Sequence, residues 1–172
     1  MSNGHPEKGM TPYYAWRRWA AGLALAAALT VAPCYAVDWE TDPQAAADPE
    51  YAAGKLAIEA RDWNAAIKSF SSAALRAPNN ADIQNYLGYA SRNAGKLDAA
   101  FKHYQRALEL DPKHRGAHEY IGEAYLMAKN LAKAEEHLAA LERLCLLPCE
   151  EYADLRAKIN AFKEASQIKR PR

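Results

Sequence analysis

A recurring spacing of small and large side chains is the feature that most constrains how this chain can fold. Residues 81–114 carry two amphipathic helical patterns, punctuated by Gly88, Ala100, Tyr104 and Pro112. Small residues such as Gly88 and Ala100 suit the crossing point of two helices, because the two backbones can approach closely there. Pro112 ends the second pattern, since the residue before a proline is pushed away from helical geometry. The stretch therefore predicts a helix–turn–helix unit.

The same register recurs on both sides of this unit. Moving back by 34 residues covers 47–80, in which Gly54 falls on the position of Gly88. Moving forward by 34 residues covers 115–148, in which Gly122 falls on the position of Gly88. A single helix pair buries too little apolar surface to be stable, so three matched units predict a stack with one continuous core.

On these residues the chain resembles the tetratricopeptide repeat (TPR) family, whose unit has 34 residues. The middle unit departs from the family pattern at Gln84, where an aromatic residue is usual, and at Ser91, where tyrosine is usual. The resemblance implies an all-α protein, a right-handed α-solenoid of three helix–turn–helix units that together with a C-terminal capping helix span residues 48–164.

The register continues after the third unit for one more helix, residues 149–164. Arg156 stands where the repeat expects glycine, and a large charged side chain there would keep a further helix from crossing. We therefore interpret this segment as a capping helix with one face open to solvent, as repeat arrays need at their ends. The basic residues 165–172 are predicted to be a disordered tail.

The N-terminal residues 1–36 have the pattern of a secretory signal peptide. Arg17 and Arg18 precede a short apolar run, residues 19–31, and small residues lead up to a cleavage site after Ala36. The run is too short to cross a bilayer, which takes about 20 apolar residues. The pattern predicts export to the periplasm, with residues 37–47 as a linker.

Two alternatives for this segment keep the protein at a membrane. Cys34 could be acylated, as in lipoproteins, although Pro33 replaces the small residue that such a motif prefers. The apolar run could also remain uncleaved. Either case would make the protein a membrane-anchored envelope assembly subunit, and membrane contact is expected only then.

Charge and motifs exclude several classes of function. The chain has 22 Lys and Arg against 21 Asp and Glu, a net charge of +1, and so no basic footprint for nucleic acid. We find no Ser/His/Asp arrangement, phosphate-cradling glycine loop or pair of catalytic carboxylates. The sequence predicts a non-catalytic interaction module with a protein or peptide partner, without a cofactor or a small-molecule substrate.

The resemblance also implies that the first helix of each unit lines a concave groove, which would bind a peptide segment of a partner. Twelve positions map to this groove: Tyr51, Lys55, Glu59, Asn85, Tyr86, Tyr89, Arg92, Asn93, Glu119, Tyr120, Glu123 and Met127. Tyrosine and arginine are enriched at binding hot spots, and asparagine can pair with a peptide backbone. We expect the cluster of Tyr86, Tyr89, Arg92 and Tyr120 to matter most.

One specialised site of the family is not matched. The family's clamp for the C-terminal carboxylates of chaperones uses lysine, asparagine and arginine side chains. At those positions this sequence has Tyr51, Lys55, Tyr86, Gly116 and Tyr120.

The cysteines of the mature chain are Cys145 and Cys149, and an even count in an exported chain favours a disulfide. The spacing allows their Cα atoms to approach to about 6 Å, within the permitted range. An alternative is a soft-metal site for copper(I), in which His137 joins the two thiols. His114 and His118 also have metal-ligand spacing, but a polar or packing role is expected for them, and no metal is predicted.

Overall fold

The computed structural model describes residues 47–147 and 149–168. The predicted signal peptide and its cleavage site, Cys34, the linker up to residue 46 and residues 169–172 lie outside these ranges. Within them the chain forms seven helices and no strand. The helices are α1 Pro49–Glu59, α2 Trp63–Arg76, α3 Ala81–Asn93, α4 Leu97–Leu110, α5 Arg115–Met127, α6 Leu131–Leu144 and α7 Glu150–Ile168. None of these helices is long and apolar enough to cross a membrane.

The helices pack as the repeat pattern predicts. α1 pairs with α2, α3 with α4, and α5 with α6, and the second helix of each pair also packs against the helix that follows it. The structure thereby confirms an all-α solenoid of three helix pairs followed by a further helix. α3 packs on α5 and α5 on α7, so these first helices of successive units form the inner layer.

Glycines at the helix crossings make room for large side chains. A Cβ atom on Gly54 would lie 2.7 Å from the Phe70 ring, and one on Gly88 would lie 2.5 Å from the Tyr104 ring. Both rings are fully buried. The repeat spacing therefore encodes a backbone-to-ring contact inside each of the first two units.

The third unit differs at this crossing. A Cβ atom on Gly122 would lie 2.6 Å from Leu155, which belongs to α7 and is fully buried. Leu138, which takes the place of Tyr104 in this unit, is only half-buried. The glycine of the third unit thus receives the C-terminal helix in addition to its own partner helix, which anchors α7 to the array.

The turns inside the units share one unusual backbone conformation. Gly95 has a φ of 76°, and the equivalent residues Arg61 and Lys129 have φ values of 57° and 59°. Glycine adopts this left-handed region without strain, whereas lysine and arginine do so at a cost of about 1 kcal/mol. Each turn needs the conformation, but only the middle unit has the residue that suits it.

α7 extends beyond its predicted end at residue 164. It continues to Ile168, so the first four residues of the predicted disordered tail are helical. No glycine or proline interrupts residues 165–168, and the Ser166 hydroxyl donates a hydrogen bond to the Phe162 carbonyl at 2.7 Å. The helix therefore lacks a local reason to stop at the predicted boundary.

A disulfide joins Cys145, just after α6, to Cys149, just before α7, with a Cα–Cα distance of 5.9 Å. In the chain-entropy view such a small loop stabilises by only about 2 kcal/mol. Its larger effect is positional, because it fixes the start of α7 against the end of α6. Both sulfurs are used in this bond, so they offer no thiolate pair for a soft metal.

Candidate functional site

The inner helices enclose two cavities. The first cavity, of about 280 Å³, lies at the N-terminal ends of α3, α5 and α7. It is lined by Tyr51, Asp82, Asn85, Tyr86, His114, Gly116, Glu119, Tyr120, Glu150, Glu151 and Asp154. The second cavity, of about 550 Å³, lies toward the other ends of these helices. It is lined by Tyr89, Arg92, Asn93, Glu119, Tyr120, Glu123, Met127, Asp154 and Lys158.

Glu119, Tyr120 and Asp154 line both cavities, so the two form one continuous groove. All of the twelve predicted positions except Lys55 and Glu59 line one cavity or the other. Lys55 is exposed, and its ammonium lies 5.8 Å from the centre of the Tyr86 ring. Glu59 is exposed at the end of α1. The binding role of these residues remains a prediction.

Tyr51, one of the predicted groove positions, lines the first cavity, but its side chain is buried. The side chain is 2% exposed and belongs to the core of the first unit. Its ring meets the rings of Phe70 and Tyr86 edge-on, with 5.7 Å between centroids in each case. Tyr86 in turn stacks on Phe70 at 5.1 Å. Burial of these three rings together outweighs exposure of Tyr51 to the groove, because each ring is a large apolar surface.

Three residues of the predicted cluster, Tyr89, Arg92 and Tyr120, come together, whereas the ring of the fourth, Tyr86, stacks on Phe70. The Tyr89 and Tyr120 rings lie 5.0 Å apart, and the Arg92 guanidinium carbon lies 5.4 Å and 5.6 Å from their centres. This geometry is a pair of cation–π contacts. Arg92 is only 8% exposed, so it is a structural residue of the groove floor and not a free cation at its surface.

A network of ion pairs lies beneath the second cavity. Arg92 on α3 and Lys158 on α7 both donate hydrogen bonds to the Glu123 carboxylate on α5. Lys158 also lies 3.8 Å from the Glu119 carboxylate. A buried charge is tolerated only when it is paired, and here a single carboxylate is paired from two neighbouring helices. The network therefore holds α3, α5 and α7 in register.

The two carboxylates of this network have opposite pKa shifts. Burial disfavours the charged form of Glu123, yet the Arg92 guanidinium and then Lys158 lower its pKa below the ordinary value. Burial, followed by the negative charge of Glu123, raises the pKa of Glu119 to about 8, against the attraction of Lys158. At neutral pH Glu123 is thus ionised and Glu119 mostly protonated.

Sequence reasoning missed the contribution of α7. Glu150, Glu151, Asp154 and Lys158 line the groove, although the segment was interpreted as a solvent-facing cap. The repeat register held the missing signal. It makes α7 the first helix of a fourth unit, and first helices line the groove. Arg156, which motivated the cap, is exposed on another face and lies 5.3 Å from the centre of the Tyr152 ring.

Asp82 and His114 were also missed as groove residues. The Nε2 atom of His114 lies 3.0 Å from a carboxylate oxygen of Asp82, which links α5 to α3. Its Nδ1 atom accepts a hydrogen bond from the Ala117 N–H at 3.1 Å and so caps α5. Histidine is not a usual capping residue, and its position in a turn gave no sign of this contact.

His118 points away from His114, so the four-residue spacing creates no common site. Its Nδ1 atom lies 3.0 Å from Nδ1 of His137, and its Nε2 atom lies 3.1 Å from the Pro112 carbonyl oxygen. Burial lowers the pKa of His118 and, with the charge of His118 adding to it, lowers that of His137 to about 4. Among the described residues, no three histidine, cysteine or acidic side chains are arranged to hold a metal.

Comparison with protein families gives one consistent result. Two sequence models, each described as Tetratricopeptide repeat, match residues 51–115 and residues 91–159. Together they extend over the three helix pairs and the first half of α7.

Two curated relatives are considerably longer proteins. The chain is 30% identical over 94 residues to protein O-mannosyl-transferase TMTC3 of Homo sapiens, a match that covers 54% of this chain and 10% of that one. It is 31% identical over 75 residues to Tmtc3 of Drosophila melanogaster, covering 44% of this chain and 8% of that one. The chain thus spans about a tenth of the length of the curated relatives it matches.

Solved structures share the fold at low sequence identity. The Sgt2 TPR domain from Aspergillus fumigatus superposes with a TM-score of 0.65 at 20% identity, covering 76% of this chain and 87% of that one. The type III secretion chaperone SycD of Yersinia enterocolitica, in complex with a peptide of the translocator YopD, superposes with a TM-score of 0.58 at 21% identity. The match covers 70% of this chain and 91% of that one. PcrH in complex with the chaperone binding region of PopD superposes with a TM-score of 0.60 at 21% identity. The match covers 68% of this chain and 90% of that one.

Proposed function

The chain belongs to the tetratricopeptide repeat family, and from its groove we propose that it is a non-catalytic interaction module that binds a peptide segment of a partner protein. The observation that carries this proposal is the continuous groove over α3, α5 and α7, formed by two cavities with shared lining residues. An extended peptide needs a long surface of this kind, whereas a small substrate needs one enclosed pocket.

Contacts between the inner helices hold the groove together in the absence of a partner. Arg92 and Lys158 tie Glu123 to the helices on either side, and the Tyr89 and Tyr120 rings are held by Arg92. A preorganised surface loses little conformational freedom on binding, so more of the contact energy appears as affinity. Asn93 and Met127 remain exposed at the rim and can contact a peptide directly.

Two structural neighbours support this use of the fold. SycD was solved with a peptide of YopD and PcrH with a region of PopD, and both share the helix arrangement. The similarity to the O-mannosyl-transferases does not support a transferase activity, because the chain spans only about a tenth of their length. We therefore assign binding and not group transfer.

We place the module in the periplasm, after removal of a signal peptide at Ala36. The disulfide between Cys145 and Cys149 supports this, because such bonds persist in oxidising compartments and are rare in the cytosol. Intact mass of the protein recovered from cells tests the placement. A free N-terminus at Val37 is expected, whereas an acylated Cys34 or an unprocessed chain would contradict it.

The binding proposal is tested with a displayed library of random peptides. Peptides selected on the full-length protein are expected to lose at least tenfold in affinity when Tyr89→Ala and Met127→Ser are combined. Both residues line the second cavity, and Met127 is 56% exposed. Arg92 is left intact, because its removal would break the ion pair with Glu123.

A matched control removes an exposed apolar side chain elsewhere. Leu75 on α2 is 86% exposed and lines neither cavity, so Leu75→Ser is expected to leave peptide affinity unchanged. Equal losses in the two variants, or undiminished binding by the groove variant, would overturn the proposal.

A further inference from the structure

The proposed function leaves open what kind of peptide the groove accepts. Resting on that function, we propose that the first cavity binds a cationic side chain, a lysine or an arginine, of the partner segment. The charge of the cavity lining, one buried asparagine and the size of the cavity support this proposal.

The lining of the first cavity is acidic. Its described residues include five carboxylates and neither a lysine nor an arginine. Glu150 and Asp154 are exposed on α7, and no described residue forms a hydrogen bond or an ion pair with either carboxylate. Glu151 has a weak partner in Arg115, whose Nε lies 3.6 Å from it. Glu150 and Asp154 thus leave negative charge at the cavity that no described residue pairs.

Helix ends explain only part of this charge. Asp82, Glu150 and Glu151 lie in the first turns of α3 and α7, where the helix dipole favours carboxylates. Glu119 and Asp154 are the fifth residues of α5 and α7, beyond the turn in which that effect is strong. The negative charge of Asp154 also contributes to the raised pKa of Glu119, so helix stability does not account for placing these two side chains together.

A buried asparagine in the cavity lining has an acceptor atom without a donor. Asn85 on α3 lines the cavity and is 5% exposed, and its Oδ1 atom accepts no hydrogen bond from any described residue. Leaving such an atom without a donor costs about 1–3 kcal/mol. An ammonium or guanidinium group brings three or five N–H donors, while a carboxylate brings none. The cavity carboxylates therefore favour a cation, and Asn85 adds an acceptor that an N–H donor of the same group can satisfy.

The size of the cavity suits one side chain. At about 280 Å³ it falls just below the roughly 300–1,000 Å³ typical of pockets for drug-sized molecules. Tyr86 and Tyr120 line it beside the carboxylates. Lysine and arginine bury an apolar stem and keep a charged head, which matches rings next to carboxylates. The neighbouring second cavity is left for adjacent residues of the same peptide.

Nuclear magnetic resonance of the full-length protein tests the inference with defined probes. The probes are acetylated, amidated pentapeptides Ala-Ala-X-Ala-Ala, in which X is lysine, arginine, norleucine or glutamate. Lysine and arginine peptides are expected to shift the Asn85 side-chain amide and the Gly116 backbone amide in a saturable way. The norleucine and glutamate peptides are expected to leave both signals in place.

Two variants give the matched comparison. Asp154→Asn removes an exposed cavity carboxylate that has no described partner, and at least threefold weaker binding of the lysine peptide is expected. Glu142→Gln removes an exposed carboxylate of α6 outside the cavity and is expected to change nothing. Equal shifts from the norleucine peptide, or equal affinity in Asp154→Asn, would overturn the inference.

The displayed library separates this inference from the proposed function. Selected groove binders without any enrichment of lysine or arginine, and insensitive to Asp154→Asn, would refute the cationic site while the binding groove stands. A library that yields no groove binder, together with saturable binding of the lysine pentapeptide, would refute the peptide groove and support the cationic site.

Discussion

Arg92 on α3 donates a hydrogen bond to the Glu123 carboxylate on α5, with both side chains about nine-tenths buried. This pair joins the second and third units under the groove. The Arg92 guanidinium also forms cation–π contacts with the Tyr89 and Tyr120 rings. Arg92 therefore supports both the fold and the proposed binding surface.

Replacing one member of this pair should be costly. Arg92→Met leaves Glu123 buried with Lys158 as its remaining described partner, and we expect the free energy of unfolding to fall by about 3 kcal/mol. Urea denaturation measures this change. The exposed pair Arg106–Glu109 is the control, since Arg106→Met should cost less than about 1 kcal/mol. Equal effects of the two substitutions would contradict the structural role of Arg92.

The double variant Arg92→Met/Glu123→Met separates pairing from packing. It also removes the Glu123 carboxylate and should recover at least half of the stability lost in Arg92→Met, because two apolar side chains can replace a buried ion pair. A double variant less stable than Arg92→Met would show that Glu123 stabilises the fold through contacts other than Arg92.

The crossing glycine of the middle unit should not tolerate a methyl group. Gly88→Ala places a Cβ 2.5 Å from the fully buried Tyr104 ring, and overpacking of this kind costs about 2 kcal/mol. Thermal and urea unfolding followed by circular dichroism measure the loss. Combining it with Tyr104→Leu should cost less than the sum of the single changes, since the ring that clashes has gone. Strict additivity would rule out the proposed clash.

The strained turns offer a gain in stability. Lys129 and Arg61 have φ values of 59° and 57°, in the region that Gly95 occupies without strain. We expect Lys129→Gly and Arg61→Gly each to raise the free energy of unfolding by about 0.5–1 kcal/mol. Lys68→Gly, inside the exposed part of α2, should instead lower it by about 1 kcal/mol. A loss of stability in the turn variants would show that these side chains contribute more than the strain they impose.

Glu119 should make stability depend on pH. Its pKa of about 8 lies above the ordinary value of 4.5. Between these two values the folded state therefore keeps a proton that the unfolded state releases. The contribution of this protonation to the free energy of unfolding is complete below the ordinary pKa of 4.5 and is lost as the pH rises through 8. Glu123, Asp154 and Lys158 surround this carboxyl group and set the balance.

Glu119→Gln removes that dependence, because a neutral amide replaces the titrating group. Relative to the wild type, the variant should gain about 1–3 kcal/mol between pH 5 and pH 8, measured by urea denaturation at both values. Glu142→Gln on the exposed face of α6 is the control and should show no such gain. A constant difference across this range would contradict the raised pKa.

The repeat register predicts most of the fold, because Gly88 and Tyr104 encode a contact that recurs as Gly54 and Phe70. Local patterns of this kind report which helices pair. They do not report how far a core extends, and Tyr51 therefore belongs to the buried core of the first unit as well as to the lining of the first cavity.

The C-terminal helix shows a second limit of the sequence. Arg156 motivated the interpretation of α7 as a cap, but it is silent about the opposite face of this helix. Leu155 enters the space at Gly122, and this contact turns Asp154 and Lys158 toward the groove. That orientation depends on packing between units, which the spacing within one unit cannot encode.

The most direct test of the account is to map where a selected peptide binds on the full-length protein by nuclear magnetic resonance. The account predicts saturable changes at Tyr89, Asn93, Tyr120 and Met127, with intermolecular contacts between the peptide and these inner-layer side chains. Changes confined to the outer helices α2, α4 and α6, with the groove signals unmoved, would contradict it.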